Sequence, residues 1–203
     1  MAGVRTHFDP VLMEPDRVYQ LLTATVVPRP IAWVSTRSAA GVDNLAPYSF
    51  FTIASTRPPI VQFCSVGHKD SVRNVAETGE FVVNLASQPM LDQVNASAAA
   101  YGAGESEFDK LDIALEPSVR VAPPRVLHAP VSVECVRERI IEIGDSFLVL
   151  GRVVFVTVNS RALDEDGLPA SQALAPLSRL GGTEWGVGMD TREVPRPIPP
   201  AAS

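Results

Sequence analysis

The segment from Ser65 to Asn74 has the composition of a phosphate-binding turn. A predicted strand ends there, Gly67 lets another group approach the backbone closely, and a helix begins whose first amides have no partner within the helix. Such a helix start favours anions, and nearby hydroxyls and cations add charge-assisted hydrogen bonds. The polar and charged residues of the segment are Ser65, Lys69, Asp70, Ser71, Arg73 and Asn74. The same pattern also fits a helix that Asp70 and Ser71 merely cap, so both interpretations stay open at this point.

A second segment, Asn44 to Phe51, places Pro47 inside a stretch that otherwise predicts a β-strand. Proline cannot donate a backbone hydrogen bond, so we expect the strand ladder to be interrupted or bulged at Pro47. Backbone groups exposed there can bind the polar edge of a planar heterocycle, while aromatic side chains supply apolar contact. The aromatic residues in question are Trp33, Tyr48 and Phe50. The alternative interpretation is an aromatic core around a proline on an edge strand.

Two shorter motifs carry further groups. Arg29 and Pro30 precede the first long strand, where proline fixes the path of the chain and arginine offers a planar five-donor fork for a phosphate or a carbonyl edge. Near the end, the segment from Leu177 to Trp185 holds a pair of glycines, which permit close backbone approach, and an indole ring. The alternative for this second motif is a loop packed on the rest of the fold.

The elements that must position these groups are mostly strands joined by turns. The spacing of apolar residues predicts helices over 15–24 and 91–100, and a further helix from Lys69 to Thr78 ends at Gly79 as a left-handed C-cap. Runs of β-branched and aromatic residues predict strands at 31–36, 44–55, 60–66, 81–85, 131–136, 139–143 and 147–158. We therefore predict a mainly β fold, an antiparallel β-barrel with a few short helices.

The composition bounds the class of protein. The chain has 203 residues, 46% of them apolar and 20% charged, which is typical of one globular domain. We expect a single domain over 1–203, with its core at about 15–185 and a proline-rich C-terminal tail at about 193–203. The net charge of -6 argues against a nucleic-acid partner, which requires a broad cationic surface.

No run approaches the ~18 to 20 apolar residues that cross a bilayer, and the first ten residues carry no apolar signal core. We therefore expect no membrane association and a cytoplasmic location. The three histidines and two cysteines show no metal-ligand spacing, so we predict no metal site.

Taken in order, four motifs resemble those of the flavin reductase-like family, which includes flavoredoxin. The motifs are Arg29–Thr36, Asn44–Phe51, Lys69–Asn74 and Gly79–Leu85, and the similarity spans about residues 15–185. The resemblance implies the FMN-binding split-barrel fold and a homodimer with its flavin sites near the subunit interface.

The resemblance also implies which residues contact FMN. Ala46 to Phe50 would border the isoalloxazine ring, Ser65 to Asn74 would hold the phosphate and ribityl chain, and Arg179 with Gly182 would lie near the flavin or its substrate. The cofactor-binding residues expected on this basis are Arg29, Pro30, Ala46, Pro47, Tyr48, Ser49, Phe50, Ser65, Lys69, Asp70, Ser71, Asn74, Arg179 and Gly182.

The activity that the resemblance implies is that of an NAD(P)H:flavin oxidoreductase, in which NADH or NADPH passes hydride to flavin. The reduced flavin would then serve an acceptor such as a separate monooxygenase. Since the cofactor carries the chemistry, we name no catalytic side chain. An FMN-bound electron carrier similar to flavoredoxin and a non-catalytic flavin-binding protein stay open as alternatives. No Gly-x-Gly-x-x-Gly fingerprint follows a predicted strand, and no residue decides between NADH and NADPH.

Overall fold

The computed structural model describes residues 3–102 and 104–197. The α-helices are α1 Pro15–Thr25, α2 Asp70–Thr78, α3 Leu91–Ala96, α4 Glu107–Lys110 and α5 Ser171–Leu174, and short 3-10 helices lie at Pro10–Leu12, Gln88–Met90 and Ser160–Ala162. The strands are β1 Arg29–Pro30, β2 Ala32–Arg37, β3 Asp43–Tyr48, β4 Phe51–Thr56, β5 Pro59–Val66, β6 Glu80–Leu85, β7 Leu115–Glu116, β8 Arg125–Val126, β9 Val131–Ile143, β10 Ser146–Val158, β11 Ser178–Arg179 and β12 Trp185–Gly186. Of the predicted tail at about 193–203, residues 198–203 lie outside the described part of the chain, and 193–197 have no regular secondary structure.

Seven of the strands form one antiparallel sheet, in the order β3-β2-β6-β9-β10-β5-β4. The mainly β fold is confirmed, but the sheet of the predicted barrel is not closed, because β3 and β4 are its two edges and no ladder among the described strands joins them. The reason lies at Ser49 and Phe50, where the chain bends and divides the predicted strand 44–55 into β3 and β4. Consecutive strands therefore end at opposite edges of an open sheet.

Pro47 lies within β3, and this position corrects a second expectation. It is paired with Trp33 in a register that runs without a shift from Asp43 to Tyr48, so the predicted interruption at Pro47 is wrong. Because β3 is an edge strand, one side of its backbone needs no partner, and a proline there costs no ladder hydrogen bond. The break comes two residues later, at Ser49.

The strands β9 and β10 form a long hairpin that supports the sheet. The two strands predicted at 131–136 and 139–143 are a single strand, β9. The register shifts between Leu150 and Gly151, which face Arg139 and Arg137, so Glu138 is the extra residue of a bulge. The bulge bends the strand without ending it, which explains why the sequence pattern there resembles two strands.

The core lies on both faces of β2. Ala32 and Val34 pack into one apolar cluster with Phe63 and Phe81, while Trp33 packs into a second cluster below α3 and α4. Successive residues of a strand point to opposite faces, so a strand that is buried on both sides needs a continuous apolar run. The helices thus lie over the β2 and β3 end of the sheet. The residues that the sequence predicts to bind a ligand are concentrated at this end.

Candidate functional site

A cavity of about 310 Å³ opens between the edge strand β3, the start of α2 and the segment that follows α3. Its described lining residues are Asn44, Ala46, Pro47, Tyr48, Lys69, Asp70, Ser71, Ser97, Ala98, Ala99, Ala100, Tyr101 and Glu107. We call this cavity the polar cavity, because hydroxyl, amide, carboxylate and ammonium groups all reach its wall. Six of the predicted cofactor-binding residues line it.

The first turn of α2 gives the polar cavity an anion-binding wall. The helix begins at Asp70, Lys69 is its N-cap, and no side chain caps its free amides. Gly79 ends the helix in the left-handed conformation, as predicted. On the inner side of the helix, Ser71 is buried and its Oγ accepts a hydrogen bond of 3.0 Å from Asn44 Nδ2, which ties α2 to β3. Amides, the Ser71 hydroxyl and the exposed Lys69 ammonium therefore face one cavity.

Two carboxylates also line the polar cavity, and each has a partner. Asp70 forms an ion pair with Arg73, one turn further along α2, with Arg73 Nη2 2.7 Å from Asp70 Oδ1. Glu107 is buried, and its Oε2 accepts a hydrogen bond of 2.8 Å from the amide of Leu45. Since β3 is an edge strand, this amide has no further strand to pair with, and Glu107 takes the place of one. Burial raises the pKa of Glu107, and hydrogen bonds from Leu45 and its own amide offset only part of this effect.

The raised pKa of Glu107 gives a prediction about stability. Between the ordinary pKa of about 4.5 and the higher value in the fold, the folded chain binds this proton more tightly than the unfolded chain. The free energy of unfolding should therefore fall as pH rises through this window, and Glu107→Gln, which keeps an acceptor for Leu45, should not show this loss. Urea unfolding from pH 4 upward measures the difference in unfolding free energy between the two proteins. This difference should grow with pH and then level off, as expected for the titration of roughly one proton.

A control for this prediction lies two residues away. Glu105 is exposed, and its hydrogen bond with Lys110 lowers its pKa, so Glu105→Gln should not reproduce the effect of Glu107→Gln. A difference between wild type and Glu107→Gln that stays constant with pH would contradict the account of Glu107.

A second cavity, of about 260 Å³, lies on the other side of Pro47. Its described lining residues are Tyr19, Ile31, Pro47, Ser49, Val94, Asn95, Ala98, Arg179 and Trp185. We call it the aromatic cavity. The guanidinium carbon of Arg179 lies 4.6 Å from the ring centroid of Trp185, so a cation and an indole face form one wall together. Ile31, Val94 and Ala98 supply apolar surface.

The two cavities adjoin, because Pro47 and Ala98 line both of them. Each alone is near the lower end of the ~300 to 1,000 Å³ that small-molecule sites occupy, and together they fall within that range. The bend after β3, which divides the predicted strand, therefore runs beside two adjoining cavities, one polar and one aromatic.

The indole of Trp33 holds the shared wall in place. Trp33 is fully buried, and its Nε1 donates a hydrogen bond of 2.8 Å to Ser97 Oγ. Ser97 begins the stretch that closes the polar cavity up to Tyr101. Trp33 therefore contributes to the site by positioning this segment and not by the ring contact that its place in the sequence suggests.

Six of the predicted cofactor-binding residues are not among the described residues that line either cavity. They are Arg29, Pro30, Phe50, Ser65, Asn74 and Gly182. Ser65 is buried and donates a hydrogen bond of 2.9 Å to the carbonyl of Gly67, and Asn74 donates one of 3.0 Å to Thr36 Oγ1. Gly182 has a positive φ of 57°, and its carbonyl accepts a hydrogen bond of 2.8 Å from Arg179. These three residues therefore form hydrogen bonds within the protein and are not among the described residues that line a cavity.

Arg29 is 7% exposed, and its guanidinium donates to backbone carbonyls. Burial lowers its pKa, and the positive charge of Arg179 adds a smaller effect in the same direction. The phosphate or carbonyl edge that the sequence suggested for Arg29 would have to compete with partners inside the protein.

The reasoning from sequence missed two contributors to the polar cavity. Glu107 belongs to none of the predicted helices and strands, and it begins the short helix α4. Ser97 to Ala100 were predicted to form the end of a helix over 91–100, whereas α3 ends at Ala96. The run of small residues at 98–100 was the available signal, since small side chains permit close approach of a ligand.

Two absences hold for residues 3–102 and 104–197. Within these ranges no group of three or more His, Cys, Asp or Glu side chains is arranged to hold a metal ion. Among the helices of the same residues, none combines the length and the apolar character needed to cross a membrane.

The chain is similar to proteins from several bacteria. An uncharacterized protein of Deinococcus radiodurans is 39% identical over 188 residues, which is 87% of this chain and 83% of that relative. The structure of nitrilotriacetate monooxygenase component B from Bacillus cereus matches 95% of this chain and all of that chain, with a TM-score of 0.91 and 31% identity. That of Pseudomonas fluorescens 2-nitrobenzoate 2-nitroreductase matches 97% of this chain and all of that chain, with a TM-score of 0.89 and 28% identity.

The model of one protein family, the flavin reductase like domain, matches residues 24–177. This range contains the start of α2, the bend after β3 and the segment that closes the polar cavity. The resemblance seen in the four sequence motifs is thereby confirmed, and the chain belongs to the flavin reductase-like family.

Proposed function

We propose that this protein is an FMN-binding NAD(P)H:flavin oxidoreductase and that one FMN lies across both cavities. The observation that carries the proposal is that the two cavities adjoin, with Pro47 and Ala98 in the wall of both. FMN has an anionic phosphate at one end and a planar ring at the other, with a polar chain between them. An anion-binding cavity next to an aromatic cavity matches this order of groups.

The phosphate fits the polar cavity. Free amides at the start of α2, the Lys69 ammonium and the Ser71 hydroxyl can donate to it, and Asp70 is kept from opposing it by its ion pair with Arg73. Charge-assisted hydrogen bonds of this kind contribute about 1.5 to 3 kcal/mol each. The ribityl hydroxyls would then pass along Ala46 to Tyr48.

The ring fits the aromatic cavity. Pro47 and Ser49 present backbone and small side-chain surface to a flat ligand, Ile31 and Val94 add apolar contact, and Trp185 offers an aromatic face. Arg179 is the cation of this cavity, so we assign to it the stabilisation of negative charge at the pyrimidine edge.

When bound, the flavin would supply the hydride chemistry. The residues of the chain bind it, orient it and shield it from water, while one ring face stays accessible to a nicotinamide. No side chain of the aromatic cavity is needed as an acid or base, so we propose no catalytic residue.

The test of the activity is steady-state consumption of NADH and of NADPH with free FMN in excess. Continued consumption of either nucleotide, in proportion to protein concentration, supports the reductase and gives its preference. Tight FMN binding without consumption would contradict it in favour of an electron carrier or of a flavin-binding protein without catalysis.

We further propose that the reduced flavin serves a separate monooxygenase. The support for this partner is the similarity to a protein described as a monooxygenase component B. Adding a flavin-dependent monooxygenase of the same organism to the reductase assay should couple nucleotide consumption to oxidation of the monooxygenase substrate.

We also propose a homodimer. Tyr19 and Leu22 on α1 are each 55% exposed, and Val26 directly after the helix is 61% exposed, so a strip of apolar surface borders the aromatic cavity. Apolar strips of this kind mark protein interfaces. A mass measurement in solution that gives a monomer at micromolar concentration would contradict the dimer.

A further inference from the structure

The guanidinium of Arg29 joins three separate segments of the chain. Its Nη1 donates to the carbonyl of Val26 at 2.7 Å and to that of Thr23, its Nη2 donates to the carbonyl of Leu180 at 2.9 Å, and its Nε lies 3.5 Å from Ser49 Oγ. The end of α1, the end of β11 and the bend after β3 therefore meet at one side chain. Arg29 is 7% exposed, so water does not replace these hydrogen bonds.

Each of these three segments contributes a wall of the aromatic cavity. Tyr19 lies on α1 one turn before Thr23, Ser49 lines the cavity itself, and Arg179 directly precedes Leu180. Trp185 is paired with Arg179 across β11 and β12, and Arg179 is paired with Arg29 across β1 and β11. A displacement of the guanidinium would therefore move all of these walls.

We propose that Arg29 is a positioning residue, which sets the separation of the walls of the aromatic cavity and thereby the fit of the flavin ring. This inference rests on the proposed function, since it takes the ring to lie in that cavity. Arginine suits the task because its planar fork can donate in several fixed directions at once, whereas a lysine ammonium is a compact group on a flexible stem. The donors face carbonyls, so Arg29 acts through the protein and not on the flavin.

The test uses Arg29→Lys and Arg29→Gln in the full chain. The first variant keeps the positive charge and the second removes it, and both lose the fork. Arg152→Gln is the matched control, because Arg152 is exposed on β10 and is not among the described residues lining either cavity. Affinities for FMN and for riboflavin are measured for each protein. In the flavin-free state, the two indole N–H signals are recorded in ¹H–¹⁵N spectra, with Trp185→Phe to assign them.

Both Arg29 variants should lose affinity for FMN and riboflavin by the same factor, about tenfold or more, because the ring that both flavins share would meet a cavity whose walls are no longer held at the right separation. The Trp185 signal should shift in the flavin-free protein, since its strand is held through β11. The control should change neither quantity. If Arg29→Gln fails to fold, Arg29→Lys carries the same test.

Two results would overturn the inference. A loss for FMN without a loss for riboflavin would place Arg29 on the phosphate, and a loss for both with an unmoved Trp185 signal would make it a direct ligand of the ring. If the wild type bound neither flavin, the proposed function would fail, while the indole signals would still report whether Arg29 holds the walls of the cavity.

Discussion

Replacing both Lys69 and Ser71 by alanine should weaken FMN binding about 100-fold or more and leave riboflavin binding within about threefold of wild type. The reason is that only FMN carries the phosphate, and these residues supply the ammonium and hydroxyl of the polar cavity. The free amides of α2 remain in the variant, so some affinity for the phosphate is retained. Titration of flavin fluorescence or visible absorbance measures both dissociation constants.

The chain offers a matched control for the lysine. Lys110 is the only other lysine of the sequence, and it is exposed and paired with Glu105. Lys110→Ala removes the same charge and should leave the ratio of FMN to riboflavin affinity unchanged. Equal losses of affinity for the two flavins in the double variant would contradict the assignment of the phosphate to the polar cavity.

Ser49→Trp should abolish binding of the ring itself, so that FMN, riboflavin and lumiflavin all lose affinity by at least about 100-fold. Ser49 is half-buried at the bend between β3 and β4 and lines the aromatic cavity, where an indole would occupy the space of the ring. The bend belongs to neither strand, so the sheet should form as before. Circular dichroism and thermal unfolding check that the fold is retained.

A second tryptophan insertion separates blockage from a general effect of a large side chain. Ser171 is exposed at the start of α5 and is not among the described residues lining either cavity. Ser171→Trp should bind the three flavins like wild type. Unchanged flavin affinity in a folded Ser49→Trp protein would place the ring elsewhere.

Local signals predicted much of the architecture. The helix α2 could be read from its apolar spacing and from Gly79, because both its face and its C-cap depend on adjacent residues. The strands β2, β5, β6 and β10 follow runs of β-branched and aromatic residues in the same way. The openness of the sheet could not be read, because it depends on where β4 pairs after the bend at Ser49. The predicted interruption of the strand at Pro47 was wrong for a related reason, since a strand tolerates a proline mainly where it lies at the edge of a sheet.

The residues of the candidate site also divide into those that local sequence signals predict and those that depend on long-range contacts. Lys69, Asp70 and Ser71 could be predicted because a strand, a turn and a helix start follow each other directly in the sequence. Glu107 could not, since its hydrogen bond to Leu45 joins residues that are far apart in the chain. Arg29 was recognised as a notable residue, but its hydrogen bonds to Leu180 and Ser49 depend on tertiary packing. The residue types indicate which groups can bind a flavin, and the long-range contacts decide which of them line the two cavities.

The most direct test of the proposed function is the visible absorbance spectrum of the purified protein with added FMN, recorded without oxygen before and after addition of NADH and of NADPH. The account predicts a perturbed spectrum at one FMN per chain and bleaching of the bound flavin by one of the two nucleotides. A spectrum that stays that of free FMN, with no bleaching by either nucleotide, would contradict it.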